Sequence, residues 1–148
     1  MQTIREILDK KGSDVYSVSP DTTVYKALTL MADKNVGAVL VLEGEKLVCI
    51  MSERDYARKI ALKGKFSKEV PVREIMSSKV ICVGPEQTIS NTKAIMSAKR
   101  IRHLPVLEED KLVGLISIGD VVNAILDESS FMIDQLETYI KGVQAPKK

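Results

Sequence analysis

Two stretches of the chain read alike: VYSVSPDTTVYKAL at residues 15–28 and VICVGPEQTIS at residues 80–90. Shifting the sequence by 65 positions superposes them without a gap, and the Pro-x-x-Thr motif of one falls on that of the other. The same shift aligns residues 41–55 with residues 106–120. Self-similarity at a fixed spacing indicates a duplicated supersecondary unit. The sequence therefore predicts two copies of one unit over most of its length.

Each copy shows the same order of structural signals. A short β-rich piece precedes Pro-x-x-Thr, whose threonine is a natural N-cap for a helix. After Thr23, apolar residues recur with helical spacing from Val24 to Met31. Two apolar runs separated by a turn-like triplet follow, which predicts a hairpin of buried strands, and the second run leads into Ser-x-x-Asp and another helix. We predict a mixed α/β fold of the α+β class, with strand, helix, strand, strand and helix in each copy.

A shorter echo, IREILD against VREIMS, lies outside the copies in residues 3–10 and 72–78. Here the shift is 68, so the first copy carries three extra residues around Lys11 to Ser13. This echo predicts a short lead-in helix before each copy. The end of the chain, residues 128–143, has a further amphipathic pattern that predicts a helix packed on the body or on another subunit.

These patterns divide the chain into three segments. The first repeat with its lead-in helix is expected over residues 7–62, the second over residues 72–127, and a C-terminal helix and tail over residues 128–148. The two repeats are expected to superpose and to pack around a pseudo-two-fold axis.

Composition excludes several classes of protein. Hydrophobic residues make up 45% and charged residues 28% of the 148 positions, as in a globular protein rather than a disordered one. The formal charge is +2, and the six aromatic residues do not alternate with basic ones, so nucleic acid is a poor candidate ligand. No apolar run approaches ~20 residues, and we expect no membrane span and no membrane partner. The N-terminal stretch lacks the pattern of a secretory signal, so a cytoplasmic location is expected.

The repeated motifs resemble those of a known family, the tandem pair of CBS domains, also called a Bateman module. The likeness covers roughly residues 7 to 127, and SERDYARKIALKGK at residues 52–65 resembles small stand-alone bacterial and archaeal members. Its markers are the aligned stretches above and four strand segments: NVGAVLVL (35–42), RIRHLPVLE (100–108), LVCIMSERD (47–55) and LVGLISIGD (112–120). The resemblance implies an adenosine-nucleotide sensor with two quasi-symmetric clefts that dimerises and has no general chemistry of its own.

The sharpest local signals are Ser52-Glu53-Arg54-Asp55 and Ser117-Ile118-Gly119-Asp120. A hydroxyl followed three residues later by a carboxylate is typical of a helix cap, worth about 1 kcal/mol. The same pair also suits a nucleotide, because a carboxylate accepts two hydrogen bonds from a ribose diol and the helix start suits a phosphate. Since the pair occurs twice beside the clefts that the resemblance implies, we interpret both aspartates as ligand contacts on the strength of that resemblance.

The resemblance implies that each aspartate shares its cleft with the first two strands of the other copy. Asp55 and Ser52 would lie with Ile81, Arg102 and His103, and Asp120 and Ser117 with Tyr16, Gly37 and Ala38. Arg54 and Arg58 leave the same helix start as Asp55 and would either assist phosphate recognition or be merely solvated. Cys49 stands where the family often has glycine and is expected to tighten its cleft. The two clefts would then differ in charge.

Three functions are compatible with the sequence. The first is a regulatory module that needs no cofactor and binds AMP, ADP, ATP or NAD between the repeats, altering its assembly or a protein partner. The second is a small enzyme using Cys49, Cys82 or His103. The sequence argues against this function, because no nucleophile lies in an activating motif. The third is a structural dimerisation unit without ligand. A homodimer is expected in either non-enzymatic case.

Overall fold

The computed structural model describes residues 2–76 and 80–141. The first half contains helix α1 (Ile4–Lys11), strand β1 (Ser17–Val18), helix α2 (Val24–Lys34), strands β2 (Ala38–Glu43) and β3 (Lys46–Ser52), helix α3 (Glu53–Tyr56) and a π-helical turn (Ala57–Ala61). The second half contains a 3₁₀ turn (Val72–Glu74), helix α4 (Ile89–Lys99), strands β4 (His103–Glu108) and β5 (Lys111–Ser117), and helix α5 (Ile118–Lys141). Two small sheets and their helices confirm the predicted α+β class.

The helices α2 and α4 begin and end in equivalent ways. The hydroxyl of Thr23 and that of Thr88 each accept a 3.2 Å hydrogen bond from the backbone amide three residues later, as N-caps do. Each helix then stops after eleven residues at a position with left-handed backbone, Asn35 at φ 55° and Arg100 at φ 54°. The capped helix predicted for each copy is therefore present, at the expected start.

The hairpins β2–β3 and β4–β5 are antiparallel and also equivalent. Each has one register irregularity, after Val41 in the first and after Val106 in the second, and these positions coincide under the 65-residue shift. Such an irregularity bends a strand locally. In each hairpin the serine of the Ser-x-x-Asp motif is the last residue of the second strand.

The first strand of the second copy is much shorter than expected. In the first copy β1 runs parallel to β2, and the amide of Leu40 donates to the carbonyl of Tyr16 at 2.9 Å. Residue 105, which is equivalent to Leu40, is proline and has no N–H to donate. Pairing is reduced to one parallel bridge, between Val83 and Val106.

Each lead-in segment packs on the other repeat. The amides of Ile4 and Arg5 donate to the carbonyls of Gln87 and Pro85 at 3.0 and 2.8 Å, and the Arg5 guanidinium pairs with Glu86. All of these acceptors belong to the second repeat.

The segment before the second repeat makes the equivalent contacts with the first repeat. The amides of Val72 and Arg73 donate to the carbonyls of Thr22 and Pro20 at 2.8 and 3.0 Å, and the Arg73 guanidinium pairs with Asp21. Donors correspond under the 68-residue shift and acceptors under the 65-residue shift. The two lead-in segments are thus exchanged between the repeats.

The exchange also divides the buried residues into two cores. The first-repeat core contains residues from the first repeat together with Val70, Val72 and Ile75. The second-repeat core contains residues from the second repeat together with Ile4, Ile7 and Leu8 from α1. A methyl group on Gly114 would lie 2.7 Å from a Leu8 methyl carbon, so glycine allows α1 to approach β5 closely.

Ile4 gives a direct test of this exchange. Its side chain is fully buried although α1 is the first element of the chain, so Ile4→Val should lower the free energy of unfolding by about 0.5–1.5 kcal/mol. Leu62→Val, at a side chain that is 81% exposed, should change it by less than about 0.5 kcal/mol. Urea denaturation measures both. Equal effects for the two variants would mean that α1 is not anchored in the second-repeat core.

The C-terminal helix differs from expectation. A separate element was expected from residue 128, but α5 is one helix that continues through that point because no glycine or proline interrupts it after Gly119. From Glu128 to Ile140 its side chains are exposed. The expected tail after residue 141, and the end of the second lead-in at residues 77–79, lie outside the described residues.

Candidate functional site

A cavity of about 580 Å³, here called the first cleft, lies between the two repeats. Its walls come from the end of β3 and the helix start after it, and from the segments that flank α4. Eight of the residues expected to bind ligand line it: the seven expected around Asp55, which are Ser52, Arg54, Asp55, Arg58, Ile81, Arg102 and His103, together with Gly37. Residues more than 45 positions apart in sequence therefore meet in one place.

Asp55 both caps α3 and faces the first cleft. Its Oδ2 accepts hydrogen bonds from the backbone amide and the hydroxyl of Ser52 at 2.9 and 3.1 Å, and its own amide donates to the Ser52 hydroxyl at 3.3 Å. Its Oδ1 lies 3.5 Å from the ammonium of Lys59, which also donates to the carbonyl of Ile75 at 2.7 Å. The cap uses one oxygen of this carboxylate, so capping and ligand binding are compatible.

Four arginines give the first cleft an excess of positive charge. Arg54, Arg58, Arg100 and Arg102 line it beside only two carboxylates, those of Glu53 and Asp55. Within residues 2–76 and 80–141, none of the four arginines forms an ion pair with a carboxylate. Within the same residues, the one side-chain hydrogen bond that these arginines make is donated by Arg54 to the carbonyl of Arg100 at 3.4 Å. Unpaired guanidinium groups around a cavity favour a phosphate-bearing ligand.

His103 lies where both aspartates influence it. Burial lowers the pKa of its imidazole below the ordinary value, and the charges of Lys11 and Arg102 lower it further, against the opposing effects of Asp120 and Asp55. The lowered pKa favours the neutral imidazole, and the permanent positive charge of the cleft comes from arginine.

Lys11, the last residue of α1, contacts the aspartate of the second Ser-x-x-Asp motif. Asp120 Oδ2 accepts a 2.9 Å hydrogen bond from the amide of Ser117, whose hydroxyl accepts from the Asp120 amide at 3.1 Å. The ammonium of Lys11 donates to the same Oδ2 at 2.7 Å and to the carbonyl of Leu115 at 2.8 Å. Partial burial on its own raises the pKa of Asp120, but the hydrogen bonds from Lys11 and Ser117 outweigh it and hold the pKa below the ordinary value.

The residues expected to complete the second cleft are distributed differently. Gly37 lines the first cleft, where a methyl group on it would lie 3.6 Å from His103 Nε2. Tyr16 packs against the first-repeat core with its ring 5.4 Å from the Lys34 ammonium. Ala38 is 2% exposed and pairs with Ser52 in the β2–β3 register. The structure places Gly37 in the first cleft because it precedes β2 at the point where the two repeats meet, and its expected place beside Asp120 stays a prediction.

Several lining residues were not predicted from the sequence. Arg100 directly follows α4 and Glu53 begins α3, and the residue type at each position differs between the repeats, since their equivalents are Asn35 and Ile118. The expectation for Cys49 was wrong: it is fully buried in the first-repeat core and does not line the first cleft. Under the 65-residue shift Cys49 corresponds to Gly114, whose missing side chain makes room for Leu8.

The Lys11–Asp120 pair should make the free energy of unfolding depend on pH in the acidic range. A carboxyl whose pKa is depressed in the folded state adds stability that is present above its unfolded pKa, 3.8, and is lost as pH falls through the folded value. Asp120→Asn should therefore be less stable than wild type at pH 7, and the difference should shrink below about pH 4. Denaturant unfolding from pH 3 to pH 7 measures it. A difference independent of pH would exclude a charged Asp120 as its source.

This arrangement of two exchanged repeats around a shared cleft agrees with the comparison with known families. The model of the CBS domain matches residues 4–62 and 72–127. The chain belongs to the CBS-domain family and contains a tandem CBS pair.

Its relatives include small CBS-domain proteins. The chain is 38% identical to the CBS domain-containing protein CBSX3, mitochondrial, of Arabidopsis thaliana, over 95% of this chain and 72% of that protein. It is 32% identical to the CBS domain-containing protein YhcV of Bacillus subtilis, over 84% of this chain and 89% of that one. A solved CBS-domain protein from Burkholderia ambifaria is 45% identical, with a TM-score of 0.83, over 85% of this chain and 95% of the other.

Matches to enzymes are confined to part of those enzymes. The inosine-5'-monophosphate dehydrogenase of Korarchaeum cryptofilum is 37% identical over 73% of this chain but only 22% of its own length. The likeness therefore concerns its CBS part. Among residues 2–76 and 80–141, no helix combines the length and apolar character that a bilayer crossing requires.

Proposed function

We propose that this chain is a regulatory module, acting in the cytoplasm, that binds an adenosine nucleotide in the first cleft. In this proposal residues 7–62 and 72–127 are the two repeats and residues 128–148 a C-terminal extension. The observation that carries the proposal is the set of four arginines beside Asp55 in one cavity, none of which forms an ion pair with a carboxylate of the described residues. A volume of about 580 Å³ is within the range of small-molecule sites.

The walls of the first cleft match the parts of a nucleotide. Asp55 Oδ1 is not engaged by the cap and offers an acceptor for ribose hydroxyls. Arg54, Arg58 and Arg102 offer donors for phosphate. Apolar side chains suited to a base complete the lining: Ile50, Val80, Ile81 and Ile101. This division supports AMP, ADP, ATP or NAD as ligands that share the adenosine phosphate unit.

Binding in this cleft can act as a signal because both repeats form its walls. A ligand changes an equilibrium only through its different affinities for the two states. A nucleotide held by α3 on one side and by the start of β4 on the other would favour the arrangement in which these segments are close. A partner protein or a second subunit could then detect that arrangement. No catalytic step is part of this proposal, and burial raises the pKa of the Cys82 thiol, which opposes thiol chemistry.

The experiment is calorimetry and thermal unfolding with AMP, ADP, ATP, NAD and S-adenosylmethionine. A CBS pair with 20% identity and a TM-score of 0.74 was solved with 5'-methylthioadenosine and S-adenosylmethionine, which supports the choice of adenosine compounds for this test. A ligand present at 100 times its Kd should stabilise the folded chain by about 2.7 kcal/mol. We expect at least one nucleotide to do so. No response to any of them would favour the ligand-free dimerisation module.

The exposed part of α5 supports a homodimer in the same proposal. Leu126, Ile133 and Ile140 recur every seven residues and are 57%, 56% and 78% exposed, with Leu136 between them at 58%. This spacing is typical of helices that associate along one face. We expect light scattering to give a dimer at micromolar concentration and Leu136→Glu to weaken it. Leu62→Glu, at an exposed site outside α5, should leave it unchanged, and a monomeric wild type would contradict the dimer.

A further inference from the structure

We propose that Lys11 is the residue that restricts the chain to one nucleotide, because it occupies the second cleft from within. The second cleft is defined here by Ser117 and Asp120, the equivalents of Ser52 and Asp55. This inference rests on the proposed function and adds the rule by which one of two equivalent sites is selected.

Lys11 contacts the polar atoms that a ligand would use. Its ammonium donates to Asp120 Oδ2 at 2.7 Å and to the carbonyl of Leu115 at 2.8 Å. A ribose diol that binds both oxygens of Asp120 would have to displace the charge-assisted hydrogen bond of Lys11 at Oδ2. In the first cleft, the ammonium of Lys59 lies 3.5 Å from the other oxygen of Asp55 and is held by the carbonyl of Ile75. The two carboxylates are similarly exposed, at 22% for Asp120 and 26% for Asp55, and they differ in the lysine contact, which is direct at Asp120 and longer at Asp55.

The position of Lys11 is fixed by α1 and not by the ion pair alone. Ile4, Ile7 and Leu8 anchor α1 in the second-repeat core, and Gly12 ends the helix directly after Lys11 with φ 98°. The three extra residues of the first lead-in fall at this point. Because α1 fixes the backbone of Lys11 beside Asp120, pairing costs only side-chain freedom, whereas a free ligand also loses translational and rotational freedom.

The two sides of the second cleft also lack the charge of the first. The positions equivalent to Arg54, Arg58 and Arg100 are Gly119, Asn123 and Asn35. Because these residues carry no positive charge, a phosphate gains little there to compensate for the loss of the Lys11 contacts. Removing Lys11 should therefore open the second cleft to adenosine itself.

The test is calorimetric stoichiometry with adenosine. Wild type should bind one molecule per chain at Asp55, and Lys11→Ala should bind two. Lys10→Ala is the matched control, since Lys10 is the neighbouring lysine and pairs with Asp127 at 3.1 Å on the surface; it should still bind one. Lys11→Arg, which keeps the charge, should also bind one. Adding Asp120→Ala to Lys11→Ala should return the stoichiometry to one.

The outcomes separate this inference from the proposed function. Two sites in wild type, or one in a folded Lys11→Ala, would overturn the inference and leave the first cleft intact. A second AMP site that is present in wild type and lost in Lys11→Ala would make Lys11 a phosphate ligand and would also overturn it. An adenosine site that appears only in Lys11→Ala and depends on Asp120 would support the inference while contradicting the proposed use of Asp55. Thermal unfolding of each variant verifies that it is folded.

Discussion

Replacing Arg102 and His103 together by alanine should remove most of the preference for AMP over adenosine, a loss of roughly ten- to hundredfold. A charged group that meets a phosphate in a partly buried site contributes about 1.5–3 kcal/mol. Both residues line the first cleft, where Arg102 carries a permanent charge and burial lowers the pKa of His103, which disfavours its charged form. The loss should therefore come mainly from Arg102.

The measurement is calorimetry with AMP and with adenosine for wild type and for the double variant. Adenosine affinity should change much less than AMP affinity, because the nucleoside has no phosphate. Lys93→Ala removes an exposed cation of α4 outside the first cleft and should leave both affinities unchanged. A double variant that prefers AMP as strongly as wild type would show that this basic pair does not hold the phosphate.

Asp55→Ala should abolish adenosine binding at the first cleft. Each hydrogen bond from a ribose hydroxyl to a carboxylate is worth about 1.5–3 kcal/mol, so losing two of them lowers affinity by a hundredfold or more. The variant also loses the cap of α3, which should lower the free energy of unfolding by about 1 kcal/mol. Binding and stability are therefore measured separately.

Asp120→Ala is the matched control because Asp120 holds the same position in the second repeat and caps the start of α5 in the same way. It should lose comparable cap stability and keep full affinity at the first cleft. If Asp55→Ala binds adenosine with unchanged affinity and stoichiometry, its carboxylate acts only as a cap.

The repeated elements were predictable because their signals are local. Thr23 and Thr88 start helices by capping them, and the alternation of apolar runs and turns specifies the hairpins. The shortened first strand of the second copy was not anticipated, although Pro105 is visible in the sequence. A proline shortens a strand only where its missing N–H would have donated to the neighbouring strand. Which strand lies beside Pro105 is known only once the strands are paired.

The first cleft was only partly predictable, since its residues come from separate segments. The family resemblance implied the meeting of Asp55 with His103, but it did not indicate that Arg100 would join them from the end of α4. Lys11 carried no signal, because a lysine at the end of an amphipathic helix is ordinarily solvated. Its contact with Asp120 follows from the exchange of the lead-in segments, which only the tertiary structure reveals.

The exchanged lead-in segments also constrain the order in which the chain can fold. During synthesis α1 emerges first, yet Ile4, Ile7 and Leu8 have no core to enter until the second repeat has been made. The first repeat is likewise incomplete until residues 70–76 leave the ribosome. Contacts that span more than 80 residues slow folding, because a long loop must close before they form. The first repeat can thus complete its core before the second repeat is made, while the apolar face of α1 has no core to pack against until the second repeat has been synthesised.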